Sequence, residues 1–264
     1  MTYNKSLNSF KILLRIIMTP LHHKNYQTRA LSEILKLVPE GKVVDSFLLF
    51  DGDLEISLSK YRRFVCAHTT QYVVYEFWKC LFENPKQIYA IATSEHFKFE
   101  EEDYEFLQEN WAHYKDQYIR SAFFYVLNKS STTGAISHGA LDLNKLDIAN
   151  LADLKMFKAP SNMHLIHDNT EFIDSIKSAN NGEYNIINAG NFSLDYFVDG
   201  KGFGLEETRF EHKHLHEYFK NTDKKTIIVY KNRKQAVELY QNTAKTLLFL
   251  NQYGKQTNQD KAKE

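Results

Sequence analysis

The chain has 264 residues, with 33 Lys and Arg balanced by 33 Asp and Glu, an apolar fraction of 43%, and only 10 Gly and 4 Pro. This length predicts one large domain or a domain with an insert, and the low Gly and Pro content argues against long linkers or low-complexity sequence. Zero net charge argues against a strongly basic nucleic-acid surface, although a local basic face such as Lys231, Arg233 and Lys234 can exist within a neutral total.

The first apolar segment, "FKILLRIIM" at 10–18, is interrupted by Lys11 and Arg15. It is too short to span a bilayer and has no signal-peptide cleavage pattern. We therefore expect an amphipathic helix, no membrane partner and a cytoplasmic location. The two cysteines, Cys66 and Cys80, lie in apolar stretches, which predicts buried reduced thiols rather than a disulfide.

Strands and helices alternate along the rest of the chain. Continuous β-branched and aromatic runs predict buried strands, and apolar residues three or four positions apart predict helices. The predicted strands are 42–50, 63–67, 162–169, 183–188, 225–230 and 246–253, and the predicted helices are 30–38, 71–85, two within 100–128, 210–220 and 233–241. This alternation predicts an α/β domain whose mainly parallel sheet is closed by the late strands.

In such a sheet ligands bind beyond the carboxyl ends of the strands, so three strand ends are candidate sites. The first is "FLLFDGDLEISL" (47–58), where Gly52 either lets the backbone approach a ligand or forms an ordinary turn. The second is "VCAHTTQ" (65–71), where Thr69 is either a weak ribose ligand or a polar strand end. The third is "NAGNF" (188–192), which follows a buried strand.

In this order the three segments resemble the Dam-type adenine-N(6) DNA methyltransferases. Members of that family carry a Phe-x-Gly-x-Gly-type cofactor turn near the N-terminus, a target-recognition insert, and an Asp-Pro-Pro-Tyr catalytic turn late in the chain. The segment "FFYVLNKSSTTGAISHG" (123–139) is similar to the family's Leu-Asn-Lys/Arg segment that precedes the recognition hairpin, and "TLLFLNQY" (246–253) is similar to an Ile-x-Asn-Tyr ending. The resemblance extends over roughly residues 20–255.

The resemblance implies a Rossmann-like, S-adenosylmethionine-dependent methyltransferase sheet of seven strands with a helical insert. The implied division is an α/β core at 1–85 and 160–255, an insert resembling a target-recognition domain at 86–159, and a polar tail at 256–264. In this arrangement Phe50 and Asn188 lie at the ends of adjacent strands.

The segments that would bind S-adenosylmethionine depart from the family pattern. Gly52 is present, but Asp53 stands where a second glycine is expected, and its carboxylate would intrude on the methionine end of the cofactor. Thr69 stands where the family has a ribose-binding aspartate. The segment "HKNYQTR" (23–29), which replaces a Tyr-x-Gly-x-Lys segment, offers Arg29 as its candidate cation. The candidate cofactor positions are thus Phe50, Gly52, Asp53, Thr69 and Arg29. We expect no bound cofactor, and S-adenosylmethionine only if the protein is active.

The segment at the position of the catalytic turn departs further from the family pattern. In the family, the first residue and the following carbonyl accept the two hydrogens of adenine's exocyclic amine, the prolines fix the carbonyl direction, and the aromatic residue stacks on the flipped base. Asn188 can still accept one hydrogen. Ala189 and Gly190 replace the prolines, so the turn loses its stiffness. Asn191 replaces the aromatic residue, and Phe192 lies one position too late.

Other groups of side chains have simpler explanations. Asp195 and Tyr196 form an acidic and aromatic pair after the turn, but their spacing does not reproduce the motif. His212 and His216 share one helix face, as two zinc ligands would, yet no third ligand is evident. We therefore expect solvated histidines here and no metal site.

These departures imply a methyltransferase-like protein that has lost catalysis and serves as a binding or structural module. It would bind DNA weakly or bind a protein partner, in the cytoplasm of a bacterial host if it is phage-encoded, since compact Dam-like genes are frequent in phages. In the recognition hairpin, Ser137 or His138 stands for the family's arginine. The alternatives are an active, divergent, site-specific DNA adenine methyltransferase and an unrelated α/β nucleotide-binding protein.

Overall fold

The computed structural model describes residues 19–22, 26–94, 101–132, 134, 136, 140–142, 144, 146, 148–190 and 212–262. Several residues singled out from the sequence lie outside these ranges, so the predictions about them stay predictions. They include the amphipathic helix expected at 10–18, Asn191 and Phe192 of the expected catalytic turn, Ser137 and His138 of the expected recognition hairpin, and the pair Asp195 and Tyr196.

Strands and helices alternate in the sheet-forming parts of the chain, as the sequence predicts. In chain order the elements are α1 (Tyr26–Leu37), β1 (Val43–Phe47), α2 (Asp53–Lys60), β2 (Phe64–Thr69), α3 (Tyr72–Glu83), α4 (Pro85–Ala92), α5 (Glu101–Asn110), α6 (Gln117–Ser130), α7 (Ile148–Lys155), β3 (Met163–His167), α8 (Phe172–Ser178), β4 (Tyr184–Gly190), α9 (His212–Asn221), β5 (Lys225–Tyr230), α10 (Lys234–Tyr240), β6 (Phe249–Leu250) and β7 (Gln256–Thr257). Short 3-10 turns lie at Trp111–His113 and Gln259–Lys261.

The chain divides into two compact units. One consists of Met1–His23 and Glu76–Ala159, and the other of Lys24–Tyr75 and Pro160–Glu264. The named helices α4 to α7 belong to the first unit, and all the strands belong to the second. The domain division implied by the resemblance, with an insert at 86–159, stays a prediction.

The sheet of the second unit has five parallel strands in the order β3-β2-β1-β4-β5. The chain builds outward from β1 through β2 to β3, then returns to the other side of β1 with β4 and β5. This is a Rossmann-like α/β fold, as predicted. Its topological switch point lies between β1 and β4, where helices on opposite faces leave a crevice for a ligand.

The boundary between α3 and α4 follows from two residues. The sequence predicts that the first helix stops at Asn84-Pro85, and α3 ends at Glu83. A new helix begins at once, because the Asn84 side chain accepts a hydrogen bond from the Gln87 backbone N–H at 3.2 Å. Proline suits the first helical position, since its missing N–H has no partner there in any helix.

The late segment does not complete the sheet. We predicted a strand at 246–253 and seven strands in total, whereas the described residues place five strands in the sheet and pair β6 with β7 as a separate antiparallel hairpin. The hairpin packs on α1, because the Gln256 side chain donates to Glu33 at 2.9 Å. A Cβ on Gly254 would lie 2.5 Å from the carbonyl oxygen of Arg29. The expected polar tail therefore begins with a paired strand.

One face of the sheet packs against α8 and α9. Its buried cluster consists of Phe47, Ile176, Ile187 and Leu215. Phe47 and Ile187 are register partners on β1 and β4. Because side chains alternate along a strand, Asp45 and Asn185 point to this same face two residues earlier. Two polar side chains are thus buried beside an apolar cluster.

Buried charged and polar side chains form a chain of contacts across this face. The Nε2 atom of His68 lies 3.2 Å from Asp45 Oδ1, and its Nδ1 atom lies 3.0 Å from Asp168 Oδ2. The Ser175 hydroxyl donates to the same Asp168 oxygen. Each ring nitrogen of His68 therefore faces a carboxyl oxygen.

Asp45 is the most heavily bonded member of this network. Besides His68, it accepts hydrogen bonds from the Asn181 side chain at 3.2 Å, the Gly182 backbone N–H at 2.8 Å and Lys224 Nζ at 3.2 Å. Burial by itself raises the pKa of Asp45, but the four donors outweigh it and hold the pKa at about 2. Its stabilising contribution is therefore present above pH 3.8, the ordinary pKa, and is lost as the pH falls toward about 2.

Replacing Asp45 by Asn should lower the free energy of unfolding by about 3 kcal/mol, because Lys224 and His68 lose their anionic partner inside the protein. Urea denaturation at pH 7 measures this difference. The control is Asp174→Asn, whose side chain is 64% exposed, and it should unfold at the parent's urea midpoint. Equal midpoints for all three proteins would contradict a stabilising network.

Candidate functional site at the carboxyl edge of the sheet

The predicted site residues near β1 and β4 lie at one edge of the sheet. Phe47 pairs with Ile187, so the two strands reach their carboxyl ends side by side. The structure thus places Phe50, Gly52 and Asp53, which follow β1, and the predicted turn residues at the end of β4 next to the topological switch point. The β4 residues are Asn188, Ala189 and Gly190.

The turn from β1 into α2 has an unusual backbone. Gly52 precedes α2 with φ 67°, a left-handed conformation that glycine adopts without steric cost. Leu48 also has φ 67°, and a residue with a Cβ pays about 1–2 kcal/mol for this conformation. The Asp51 side chain accepts from the Asp53 backbone N–H at 3.2 Å, which holds the turn. Gly52 therefore serves the turn itself, whichever ligand the edge binds.

Three acidic side chains are buried in and after this turn. Asp51 is 5% exposed, Asp53 6% and Glu55 2%. Burial raises the pKa of Asp51 to about 8, so this carboxyl is protonated at neutral pH. Burial also raises the pKa of Glu55, which the Ser46 hydroxyl offsets only in part by donating at 2.7 Å. The turn and the start of α2 are therefore filled by buried acidic side chains.

The end of β2 has a local structural role. Thr69 is 4% exposed, and its hydroxyl accepts from the Gln71 backbone N–H at 3.2 Å. Its carbonyl accepts from the Asp168 backbone N–H at 3.0 Å. The Thr69 hydroxyl therefore supports the turn that leads into α3, as the polar-strand-end interpretation expects.

Arg29, the candidate cofactor cation, lies in α1 and is partly buried. This helix packs against α2 and contacts β4 and β5. Arg29 therefore stands in the same layer as the buried acids, and its own carbonyl is the atom that Gly254 of the late hairpin approaches closely.

Asn188 is the predicted catalytic residue with the most distinctive surroundings. It is 7% exposed, and strand alternation points it away from the face of Ile187, toward the face where Ser46 meets Glu55. Its Oδ1 atom is buried and accepts no hydrogen bond from the residues that the structure describes. Leaving a buried acceptor unsatisfied costs about 1–3 kcal/mol, so a ligand with an N–H donor would relieve this cost.

The backbone next to Asn188 is irregular. Asn188 pairs with Val229 and Gly190 pairs with Tyr230, so the register shifts between them and Ala189 forms the bulge. Ala189 is fully buried. Bulges re-aim side chains near strand ends, so the ladder between β4 and β5 is irregular at Ala189.

A histidine and a tyrosine that no sequence pattern connects meet at this edge. Tyr230, the partner of Gly190 on β5, has its hydroxyl 2.9 Å from His212 Nδ1. His216 Nε2 lies 3.0 Å from the Thr243 hydroxyl. Both histidines are partly buried, and each makes a side-chain hydrogen bond that the expectation of solvated histidines did not include. The spacing of the histidines indicated one shared face, but it could not indicate the tyrosine and threonine that meet that face.

Burial also keeps the neighbouring phenols neutral. It raises the pKa of Tyr230 far above its usual range and that of Tyr240 to about 12. The two rings lie 5.6 Å apart. These hydroxyls therefore act as hydrogen-bonding groups and not as bases at neutral pH.

A second missed group lies at the ends of β2 and β3. The ring of His167 lies 5.4 Å from the rings of both Tyr72 and Tyr75. Tyr72 is 52% exposed. In the sequence, Tyr72 and Tyr75 belong to a helix pattern and His167 belongs to a strand pattern. Only the parallel register of β2 and β3 brings them together.

Comparison with models of known protein families finds no match, and comparison with curated proteins finds none either. Within the described ranges, no three His, Cys, Asp or Glu side chains are grouped as metal ligands would be. No helix in the part of the chain that the structure describes is long and apolar enough to cross a membrane. The function must therefore be inferred from the edge itself.

Replacing Asp51 by Asn should change how stability depends on pH. The folded pKa of about 8 lies above the ordinary 3.8, so the contribution of Asp51 is fully present below pH 3.8 and is lost as the pH rises through about 8. The variant should be more stable than the parent by about 1–3 kcal/mol at pH 9, because it has no buried charge there.

This difference should shrink toward pH 5, and chemical denaturation at pH 5, 7 and 9 measures it. Asp153→Asn, at an exposed position on α7, is the matched control and should follow the parent at every pH. If Asp51→Asn also follows the parent throughout, Asp51 does not titrate as a buried acid.

Proposed function

We propose that this chain is a methyltransferase-like protein, related to the Dam-type adenine-specific DNA methyltransferases, that has lost catalysis and acts as a binding or structural module. The observation that carries this proposal is the burial of Asp51 and Asp53 in the turn between β1 and α2. The family resemblance implies that glycines at this turn leave room for the methionine end of S-adenosylmethionine. Here acidic side chains stand in that place.

The strand order supports the methyltransferase-like part of the proposal. The three segments that carry the resemblance all reach the carboxyl edge of one parallel sheet, and β1 and β4 are neighbours. The expected positions of Phe50 and Asn188 agree with this arrangement. Had Gly52 and Asn188 stood at opposite sides of the sheet, the resemblance would have no structural counterpart.

Three features support the loss of catalysis. Thr69 uses its hydroxyl in a local turn and has no carboxylate for a ribose. The bulge at Ala189 replaces a stretch that prolines would stiffen. Asp53 puts a carboxyl where the cofactor's own carboxylate would approach. Thr69 and Asp53 concern cofactor binding, and the bulge at Ala189 concerns the localisation of the amine lone pair.

One observation favours the alternative, an active and divergent DNA adenine methyltransferase. Asn188 Oδ1 is a buried acceptor that receives no hydrogen bond from the described residues. An adenine amine would supply the missing hydrogen, which is the role that the resemblance gives this position. Cofactor binding separates the two hypotheses, because the active enzyme needs S-adenosylmethionine and the inactive module does not.

The net charge of the chain limits which partners it can bind. With no net charge, non-specific binding to duplex DNA should be weak at physiological salt, since counterion release needs clustered cations. The cluster Lys231, Arg233 and Lys234 follows β5, and Lys234 lies 3.6 Å from Glu238 on the same helix. We therefore propose weak DNA contact through this cluster, or a protein partner, in the cytoplasm.

Calorimetry should detect no binding of S-adenosylmethionine to the parent protein. A carboxylate beside the cofactor's carboxylate costs about 1–4 kcal/mol, and a lost ribose contact costs about 1–3 kcal/mol more. The double variant Asp53→Gly with Thr69→Asp should bind at least about tenfold more tightly than the parent. Micromolar binding by the parent would support the active enzyme instead.

Rebuilding the catalytic turn alone should not restore methyl transfer. The fourfold variant Asn188→Asp, Ala189→Pro, Gly190→Pro and Asn191→Tyr still lacks a cofactor site, and the steps act in series. Incorporation of labelled methyl groups into unmethylated DNA measures the activity. The control adds Asp53→Gly and Thr69→Asp to the same variant. Turnover by the fourfold variant well above the parent would mean that the cofactor site is intact and the proposal is wrong.

A further inference from the structure

A polar cleft lies at the amino edge of the sheet, the edge opposite the candidate site. It has a volume of about 510 Å³ and lies between the ends of α8 and α9 and the segment that enters β5. Its polar lining includes Lys177, Glu217, Tyr218, Thr222, Asp223 and Lys224. All of these residues belong to the unit that holds the sheet.

The base of the cleft is an ammonium group held in place by the protein. Lys224 Nζ lies 3.2 Å from Asp45 Oδ2 and donates to the Ala179 carbonyl at 2.6 Å. A lysine ammonium has three hydrogens, so one remains, and no described residue accepts it. The side chain is 23% exposed and lines the cleft. Lys224 therefore presents a fixed positive donor to a ligand.

One wall carries hydroxyl groups with unused hydrogen-bonding capacity. The Tyr218 hydroxyl accepts from the Asn185 side chain at 2.9 Å and contacts the Thr222 hydroxyl at 3.3 Å. With these two contacts made, the Tyr218 proton is available for an acceptor in the cleft. Asn185 is fully buried, and its Oδ1 atom has no hydrogen-bond partner among the described residues. Asn185 lies behind the cleft and does not line it, so this wall offers the Tyr218 hydroxyl as its donor.

The charges around the cleft have both signs. Lys177 and Lys224 contribute positive charge, and Glu217 and Asp223 contribute negative charge. A simple anion would meet two carboxylates, and a simple cation would meet two ammonium groups. A small molecule that carries both an ammonium and a carboxylate would match both signs.

We propose that this cleft binds a small zwitterion of the amino-acid class. Its carboxylate would accept from Lys224 Nζ and the Tyr218 hydroxyl, and its ammonium would face Glu217 and Asp223. The site is independent of the proposed function, because it lies at the other edge of the sheet and uses none of the residues of the β1 and β4 turns.

An NMR titration of the full chain tests this proposal with three probes: alanine, propionate, which lacks the ammonium, and ethylamine, which lacks the carboxylate. We expect alanine to shift the backbone amides of Thr222 and Lys224 with a Kd of about 1 mM. Propionate and ethylamine should bind at least about tenfold more weakly, because each leaves charges of one sign without a counterpart.

Two variants locate the site. Tyr218→Phe should weaken alanine binding about fivefold, the effect of one lost hydrogen bond. Thr222→Val should weaken it by a smaller factor, because it removes the donor that leaves the Tyr218 proton for the ligand. Tyr253→Phe, at a residue that is 76% exposed on the late hairpin, is the control and should bind like the parent. The proposal is overturned if alanine causes no shifts at 20 times that Kd, which is about 20 mM, if propionate binds as tightly as alanine, or if the Tyr218 variant binds like the parent.

Discussion

The carboxylate of Asp45 sits in the middle of the central strand, fully buried, with four hydrogen-bond donors around it. The donors come from β2 and from the loops before β4 and β5, so one side chain ties together both halves of the sheet. Gly182 can donate because it has no side chain: a Cβ there would lie 2.7 Å from the carbonyl oxygen of Val43. These bonds link β1 to β2 and to the segments that enter β4 and β5.

The two edges of the sheet differ in the polar side chains that they carry. At the carboxyl edge the turn after β1 is filled by Asp51, Asp53 and Glu55, and Asn188 keeps a buried acceptor. At the amino edge the network ends at Lys224, whose ammonium reaches a cleft. The bonds around Asp45 lie below the carboxyl edge, so they order the sheet without the residues of that edge.

The sequence predicted the strands and their parallel arrangement well, because continuous apolar runs and regular helix spacing are local signals. The resemblance also implied that Phe50 and Asn188 lie at the ends of adjacent strands, and the strands concerned, β1 and β4, are neighbours. The sequence did not indicate the partners of Asp45 or His68, since those partners are up to 179 residues away and no local pattern records such contacts. The segment 246–253 has the composition of a strand, but its packing on α1 decided that it pairs with β7.

The same long separations have a consequence for synthesis on the ribosome. Asp45 leaves the ribosome early, but Gly182 follows 137 residues later and Lys224 follows 179 residues later. Until then the Asp45 carboxylate lacks most of its hydrogen-bond donors. The side of β1 that pairs with β4 is also unpaired. Non-local parallel pairing is slow, and unpaired strands in unfinished chains are prone to aggregate. Nascent chains stopped before residue 182 should therefore need a chaperone, whereas chains extended past Lys224 can close the sheet around Asp45.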